Sequence, residues 1–295
     1  MTNNASESSL QLSGLGKETQ YPSAYDQSLL YAVPRQLGRQ ALNSAAPQTW
    51  IGADIWTAFE VSWLNPKGKP QVAIVSASFD PNNPYLVESK SFKLYLNSFN
   101  QTVFDNSETM LALMQKDLSA VVQGQVSLQL FSTDHFAQLQ LSAWNKDSLA
   151  CPIVALDELD ISTTIYHYDP RLLRLQTPHR QTQEVVFSNL LKSNCPVTGQ
   201  PDWASLLIAY QGPAIDHGSL LQYIISYREH TGFHEACVEQ IYCDLQMLSG
   251  AQELLVYARY TRRGGLDINP WRASSESFAK NYSTILGAEQ RLARQ

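Results

Sequence analysis

The feature that most constrains the fold of this chain is an internal repeat. Apolar alternation and helical spacing predict the order strand, strand, helix, helix, strand between residues 49 and 133. The second half repeats the last four of these elements from residue 203 to 261: a strand that ends at a proline, a helix, a second helix and a final strand. Such a repeat indicates a duplicated module.

Identical and similar residues at one offset support the duplication. Four pairs lie 128 positions apart in the first helix of each half: Ser91 and Ser219, Tyr95 and Tyr223, Ser98 and Ser226, Phe99 and Tyr227. After a one-residue gap, Phe104 is aligned with Phe233, and each is expected to open the second helix.

The repeat also sets the expected domain limits. Residues 1–25 are rich in Ser, Asn, Gly and Thr, which is typical of a loose tail. Residues 26–150 are expected to form the first module and residues 191–295 the second. The segment 151–190 would link them.

Charge and composition narrow the class of protein. Because 27 Asp and Glu outnumber 21 Lys and Arg, the formal net charge is −6 and a general nucleic-acid binder is not expected. No run of 18 apolar residues occurs, so no membrane span is expected. The polar N-terminus lacks signal-peptide features. The cysteines Cys151, Cys195, Cys237 and Cys243 are therefore interpreted as reduced thiols of a cytoplasmic protein.

The strongest candidate site is the segment SNCPVTGQPDWA, residues 193–204. Cys195 lies among loop-forming residues instead of the apolar residues that usually surround an inert cysteine. Asp202 follows seven positions later, beyond a Gly-Gln-Pro turn that could fold the loop back. A nearby carboxylate could handle the thiol proton, so the pattern favours nucleophilic catalysis. The alternative is a free loop cysteine beside a capping aspartate.

A second candidate is HTGFHEAC, residues 230–237. His230, His234 and Cys237 are residue types that bind zinc, but Gly232 interrupts the spacing where a helix would have to carry both histidines. Glu235 could instead accept two N–H bonds from a guanine-like edge. The alternative is a carboxylate that only complements the dipole of a helix N-terminus.

Two basic clusters complete the candidate residues. Lys90 and Lys93 share a helix face at i, i+3, and Arg262 and Arg263 precede two glycines that allow close backbone approach to a ligand. Together they could bind the phosphates of a nucleotide cofactor. The alternative is solvated surface charge next to a glycine turn.

Taken together, these motifs resemble one family, the NADPH-dependent 7-cyano-7-deazaguanine reductases, which are nitrile reductases of queuosine biosynthesis. The matching segments are residues 88–99, 193–204, 233–237 and 262–270, with support from 25–35 and 56–70. Their order is that of the family's long, two-module form, so the resemblance covers nearly the whole chain after the tail.

The resemblance implies an α+β tunnelling fold (T-fold) of two tandem modules, each an antiparallel sheet with two helices on one face. It implies NADPH-dependent reduction of the nitrile of 7-cyano-7-deazaguanine to an aminomethyl group. NADPH and a small 7-deazaguanine substrate are the expected ligands. A homodimer is expected, with no directly bound nucleic acid, no membrane and no metal.

The resemblance also assigns residue roles. Cys195 would attack the nitrile carbon to form a covalent thioimide, with Asp202 as its acid/base partner and His234 beside the reacting carbon. The deazaguanine would be bound by three residues: Glu235, Glu88 and Ser89. The cofactor phosphates would be bound by three cations: Lys90, Lys93 and Arg263.

The sequence departs from the short form of the family in the second module. Asp216, His217 and Gly218 replace the Glu-Ser-Lys run there, so the second copy is expected to lack a cofactor site. One catalytic site per subunit follows from this difference.

Two other functions remain open from the residues. One is a zinc-dependent hydrolase of the same fold, resembling GTP cyclohydrolase, with four ligands: Cys195, His230, His234 and Cys237. The other is a non-catalytic module that binds a purine or a pterin.

Overall fold

A computed structural model describes residues 22, 24–141, 153–177 and 180–295. Residues 1–21 of the expected tail and Cys151 lie outside the described residues. The chain divides into two compact units. Unit 1 comprises the described residues of Met1–Leu37, Ile55–Leu139 and Arg262–Asp267. Unit 2 comprises the described residues of Gly38–Asp54, Gln140–Thr261 and Ile268–Gln295.

Unit 1 contains the first set of predicted elements. Up to residue 132 the elements are β1 (Ala32–Pro34), α1 (Gln36–Arg39), β2 (Ile51–Leu64), β3 (Pro70–Phe79), β4 (Tyr85–Val87), α2 (Ser89–Asn97), α3 (Ser107–Val122) and β5 (Val126–Ser132). The first residues of β2 and the end of α1 belong to unit 2. The strand order is β5-β3-β2, and a small antiparallel sheet pairs β1 with β4. Phe92 of α2 packs on Trp56 of β2 with ring centroids 5.6 Å apart, so the helix covers this sheet.

Unit 2 contains the second set of predicted elements. Its elements are β6 (Gln140–Leu141), β7 (Ile153–Ala155), β8 (Gln181–Asn194), β9 (Pro201–Pro213), α4 (His217–Ser226), α5 (His234–Ser249), β10 (Glu253–Tyr260), β11 (Leu266–Ala273), α6 (Glu276–Lys280), α7 (Ser283–Leu286) and β12 (Gln290–Arg291). The first two residues of β11, Leu266 and Asp267, belong to unit 1. The strand order is β11-β10-β9-β8-β7, antiparallel except for the parallel pair β7–β8.

Both faces of the unit 2 sheet are covered, which explains why β9 and β10 are almost continuously buried. On one face, Ile208 and Val256 pack with residues of α4 and α5. On the other, Leu207 and Leu255 pack with Phe278 and neighbouring residues of α6 and α7. Unit 2 therefore has helices on both faces of its sheet, whereas two helices on one face were expected.

The helices confirm the repeat and correct one pairing. The first helices, α2 and α4, begin at Ser89 and His217, which are 128 residues apart. The second helices, α3 and α5, are both 16 residues long. Their N-cap positions are occupied by Asn106 and Phe233, which are 127 residues apart. The expected pairing of Phe104 with Phe233 is therefore wrong by two positions.

A buried tyrosine–aspartate network recurs in each unit. Asp117 of α3 accepts hydrogen bonds from Tyr95 of α2 and from Tyr25, at 2.7 and 2.6 Å. The counterparts in unit 2 make the same bonds: Tyr223 and Tyr168 to Asp244, at 2.6 and 2.8 Å. Tyr168 lies in the segment 151–190, for which a linker was expected. That segment also contributes β7 and the start of β8 to unit 2.

Among the residues that the structure describes, no helix is both long and apolar enough to span a membrane. The observed architecture is a mixed α+β chain with mainly antiparallel sheets and packed helices.

Candidate active site

Cys195 lies in the hairpin turn between β8 and β9. Its N–H donates to Gln200 O at 2.9 Å, and Gly199 donates back to Cys195 O at 3.0 Å. Gly199 has a φ of +68°, which a glycine adopts without strain. Asp202 of β9 is opposite Ser193, two residues before Cys195, so the hairpin brings the two candidate catalytic residues close in register.

Asp202 and His234 also meet in unit 2. His234 is the first residue of α5, and its Nε2 lies 3.8 Å from Oδ1 of Asp202. The imidazole packs edge-on against the ring of Tyr260, with centroids 4.0 Å apart. Cys195 is a half-buried free thiol, whereas Asp202 is only 3% exposed. The site therefore combines a reachable thiol with a sheltered carboxyl–imidazole pair.

Glu235 follows His234 in the first turn of α5 and is 3% exposed. A carboxylate in this position is favoured by the helix dipole.

The helix itself is held in place one turn further along. Arg39 makes two hydrogen bonds to the carboxylate of Glu239, at 2.8 and 2.6 Å. A Cβ on Gly38 would lie 2.8 Å from Cβ of Ala236, so this segment packs closely against the start of α5.

Two side chains of the alternative zinc site, Cys237 and His230, have pKa values that are shifted by burial. Burial raises the pKa of the Cys237 thiol to about 12. Burial also lowers the pKa of His230, whose ring packs against Tyr227 with centroids 5.1 Å apart. Within the described part of the chain, no group of three or more His, Cys, Asp or Glu side chains is placed to hold a metal ion.

In unit 1, Glu88 caps α2. Its two carboxylate oxygens accept N–H bonds from Lys90 at 2.9 Å and from Ser91 at 2.7 Å, and the residue is 3% exposed. A carboxylate offers about four acceptor positions, so capping alone leaves capacity for further donors. Ser89 is the first residue of α2 and is half-buried.

A cavity of about 290 Å³ in unit 1 is lined by Lys90 and Lys93 of α2. Gly264 and Gly265 form another wall, with φ values of +55° and +70°. A Cβ on Gly264 would lie 3.4 Å from Nζ of Lys93, so the glycine keeps space open beside an ammonium group. Two ammonium groups next to an open glycine turn fit a phosphate-bearing cofactor.

The two arginines beside this turn are placed differently. The guanidinium of Arg262 lies over the ring of Phe59, 4.7 Å from its centroid. Arg263 is half-buried, and its N–H donates to Leu266 O at 3.0 Å. Among the described residues, Arg263 does not line the cavity, so the structure brings Lys90 and Lys93 together without the third expected cation.

The corresponding helix start in unit 2 has a different set of side chains. Asp216 caps α4 by accepting the N–H of Ser219 at 2.7 Å. His217 pairs with Glu184 at 3.2 Å, and Tyr210 also donates to Glu184. The hydrogen bond to Glu184 raises the pKa of His217. A neutral glycine, Gly218, stands in unit 2 where unit 1 has Lys90.

The sequence patterns missed two residues of these sites. Tyr260 packs on His234, and Glu60 of β2 lines the cavity in unit 1. A Cβ on Gly265 would lie 2.3 Å from the carboxyl carbon of Glu60, so this glycine is required by close approach. Both residues lie within strands. The alternation of apolar and polar residues there predicts a strand but does not indicate which side chains line a binding site.

Comparison with known proteins identifies the family. The family model described as "Nitrile reductase, 7-cyano-7-deazaguanine-reductase N-term" matches residues 21–130, and the one described as "QueF-like protein" matches residues 201–278. Proteins named NADPH-dependent 7-cyano-7-deazaguanine reductase from Paraburkholderia phytofirmans and Burkholderia vietnamiensis are 47% and 48% identical over 283 residues. Each alignment covers 96% of this chain and 98% of the relative.

The apo structure of an archaeosine synthase, QueF-Like, aligns with a TM-score of 0.27 and 14% identity, over 34% of this chain and 95% of that chain. That similarity is too low to support an argument about the fold. The near-complete alignments with the two bacterial reductases confirm the resemblance carried by the motifs. The chain belongs to the family of NADPH-dependent 7-cyano-7-deazaguanine reductases.

Proposed function

We propose that this protein reduces the nitrile of 7-cyano-7-deazaguanine to the aminomethyl group of 7-aminomethyl-7-deazaguanine, with NADPH as the reductant, in queuosine biosynthesis. Relatives of that name match 96% of the chain. The observation that carries the proposal is the hairpin of β8 and β9. It presents the free thiol of Cys195 two residues after Ser193, and Ser193 is paired with Asp202 on the neighbouring strand. The zinc-hydrolase and binding-module alternatives lack comparable support.

In the proposed mechanism, the sulfur of Cys195 attacks the nitrile carbon. A C–S bond forms as one π bond of the nitrile breaks, and the nitrogen takes up a proton to give a thioimide. Asp202 and His234, which lie 3.8 Å apart in unit 2, are the groups proposed to handle the protons of the thiol and of the nitrogen. When bound, NADPH supplies hydride.

Covalent attachment helps because a nitrile is a poor hydride acceptor and a protonated thioimide is a better one. The nucleophile thus divides a difficult reduction into easier steps. After the first hydride, departure of the Cys195 thiolate would break the C–S bond and leave an imine, which a second hydride and a proton would convert to the aminomethyl group. That imine would hydrolyse in bulk water, so protein groups must keep water away from the reacting carbon. The low exposure of Asp202 is consistent with that need.

We propose that Glu235 recognises the base. A deazaguanine presents N1–H and an exocyclic amine as neighbouring donors, which match the two oxygens of a carboxylate. The buried position of Glu235 beside His234 supports this role. Glu88 and Ser89 of unit 1 are proposed as further substrate-binding residues.

The cofactor phosphates are assigned to Lys90 and Lys93, because both line the cavity next to the glycine turn. Arg263 remains a proposed cofactor residue on the strength of the family motif. The domain limits and the assembly also remain proposals. We propose tandem T-fold modules at residues 26–150 and 191–295, joined by residues 151–190. We also propose that the protein is a cytoplasmic homodimer that binds no nucleic acid directly. The repeated element order supports the tandem arrangement.

The test is oxidation of NADPH in the presence and absence of the nitrile substrate. We expect nitrile-dependent oxidation and, by intact-protein mass spectrometry, an adduct of the nitrile at Cys195. Cys195→Ala should lose both, whereas Cys243→Ala, which changes a buried thiol, should retain them. Activity in Cys195→Ala, or an adduct on another cysteine, would contradict the proposal.

A further inference from the structure

The hairpin that carries Cys195 has a counterpart in unit 1. β2 and β8 are both 14 residues long, and the next residue, Asn65 or Cys195, begins the turn. Asn65 N–H donates to Lys69 O at 3.0 Å, and Cys195 N–H donates to Gln200 O at 2.9 Å. The two turns therefore begin and close in the same way and differ in length by one residue.

The side chain at the first turn position distinguishes the two hairpins. Oδ1 of Asn65 accepts the N–H groups of Lys67 and Lys69, both at 3.0 Å, so the asparagine holds its own turn. Sulfur is a weak hydrogen-bond acceptor, and a nucleophilic thiol must also approach its substrate. Cys195 is therefore poorly suited to hold its turn as Asn65 does. The bond from Gln200 N–H to Thr198 Oγ1 within this turn is long, at 3.5 Å, so a restraint from outside would stabilise the turn.

The main chain supplies one restraint in both units. Asn194, the residue before Cys195, bonds through its N–H and C=O to the segment 230–232, at 2.8 and 3.1 Å. Leu64, the residue before Asn65, makes the equivalent bonds to the segment 102–104, both at 2.9 Å. This pairing is common to both copies, so it does not compensate for the change from asparagine to cysteine.

Unit 2 has an additional side-chain clamp. Nζ of Lys192 donates to Oδ1 of Asn194 and to the main-chain oxygen of Arg228, both at 2.6 Å. Lys192 and Asn194 are two residues apart, so they project from the same face of β8. In unit 1, the position of Lys192 is taken by Ser62, which bonds to Gln71 within its own hairpin at 2.8 Å. The ammonium group of Lys192 thus joins the end of β8 to the turn that contains Arg228.

The segments that Lys192 joins adjoin the residues proposed to carry the chemistry. Cys195 follows Asn194 directly, and His234 begins α5 shortly after Arg228. We propose that Lys192 is a positioning residue that holds the Cys195 hairpin in register with the start of α5. This inference rests on the proposed role of Cys195 as the nucleophile.

The expected size of the effect follows from the geometry. Hydrogen bonds from a charged donor at short distance are among the stronger ones in proteins. Covalent catalysis requires the reacting atoms to be held in attack geometry, and a displacement of about 1 Å can reduce the rate about 100-fold. Loss of the clamp should therefore slow the attack by Cys195 roughly 10- to 100-fold.

The test compares Lys192→Met, Lys192→Arg and a control, Lys116→Met, which changes an exposed lysine of α3. The rate of adduct formation with the nitrile and the steady-state constants are measured for each. We expect Lys192→Met to lower the adduct rate and kcat about 10-fold or more, with the KM for NADPH within about twofold of wild type. Lys192→Arg should recover much of the rate, since guanidinium can donate to both acceptors.

Amide hydrogen exchange supplies a readout that does not depend on activity. In Lys192→Met, the amides of Cys195 and Gly199 should exchange about tenfold faster, while the Asn65 turn and the thermal unfolding midpoint stay unchanged. A wild-type adduct rate in Lys192→Met would overturn the inference. A rate loss explained by a lower unfolding midpoint, without faster exchange in the hairpin, would also overturn it.

Failure of the inference can be distinguished from failure of the proposed function. If Cys195→Ala were active, the role of Cys195 would be wrong, and with it the positioning role of Lys192. If Cys195→Ala were inactive and Lys192→Met kept the wild-type rate and exchange, only the positioning role would be wrong.

Discussion

Replacing Glu88 by aspartate separates the two roles of this carboxylate. In the structure it caps α2 through bonds to the N–H groups of Lys90 and Ser91, and we propose that it also binds substrate. An aspartate caps the equivalent helix in unit 2, where Asp216 accepts the N–H of Ser219 at 2.7 Å, the counterpart of the Ser91 bond. Glu88→Asp should therefore keep the cap while withdrawing the carboxylate by about 1.5 Å, the length of one C–C bond.

The two substitutions at this position should differ in stability. Loss of a helix N-cap costs about 0.5–2 kcal/mol, and the buried site of Glu88 favours the upper end of that range for Glu88→Ala. At about 2–4 °C per kcal/mol, this corresponds to a decrease of roughly 4–8 °C in the unfolding midpoint. Glu88→Asp should stay within about 2 °C of the wild type.

Substrate binding should respond differently. A buried donor of the base left without its acceptor costs about 1–3 kcal/mol, which weakens binding about tenfold or more. We therefore expect both Glu88→Asp and Glu88→Ala to raise the nitrile concentration that half-saturates adduct formation at Cys195 by at least about tenfold. Unchanged half-saturation in Glu88→Asp, together with a lower unfolding midpoint in Glu88→Ala, would show that Glu88 is only a helix cap.

Three further predictions concern the cofactor, the thiols and pH. Lys93→Ala should raise the KM for NADPH about tenfold in steady-state kinetics, because a charge-assisted phosphate contact is lost; an unchanged KM would make Lys93 a surface lysine. Iodoacetamide should alkylate Cys195 and spare Cys237, whose pKa burial raises to about 12; peptide mapping that found Cys237 labelled in native protein would contradict this. The hydrogen bond to Glu184 raises the pKa of His217, so the imidazolium stabilises the fold below about pH 6.5 and this contribution is lost as pH rises through the raised pKa. His217→Gln should lower the unfolding midpoint at about pH 6 and leave it nearly unchanged at about pH 9, and an equal loss at both pH values would show that the charge is not responsible.

Local sequence patterns determined the order of the elements. The strand, helix and turn patterns depend on neighbouring residues, and the structure confirms the two helices in each unit. Asn106 caps α3 through the N–H of Thr109 at 2.8 Å, and asparagine is among the residue types favoured at this position. The Gly-Gln-Pro turn likewise predicted that the chain folds back after Cys195, and β8 and β9 form that hairpin.

Contacts between distant residues were decided only by the tertiary structure. Tyr168, in a segment expected to be a linker, bonds to Asp244, 76 residues later. The composition around Tyr168 gives no sign of that partner. The helices α6 and α7 cover the second face of the unit 2 sheet, which alternation along a single strand cannot predict.

The sequence alone determined which chemical groups are present, and the tertiary structure decided which of them work together. Lys192 in the sequence is one cation in a polar segment, and its bonds to Asn194 and to the distant Arg228 exist only in the folded chain. In the sequence, Glu88 is a single acid at the start of a helix. In the folded chain it is a buried cap that accepts the N–H groups of Lys90 and Ser91. The physical reason is that side-chain hydrogen bonds depend on distances within a few tenths of an ångström, which long-range packing sets.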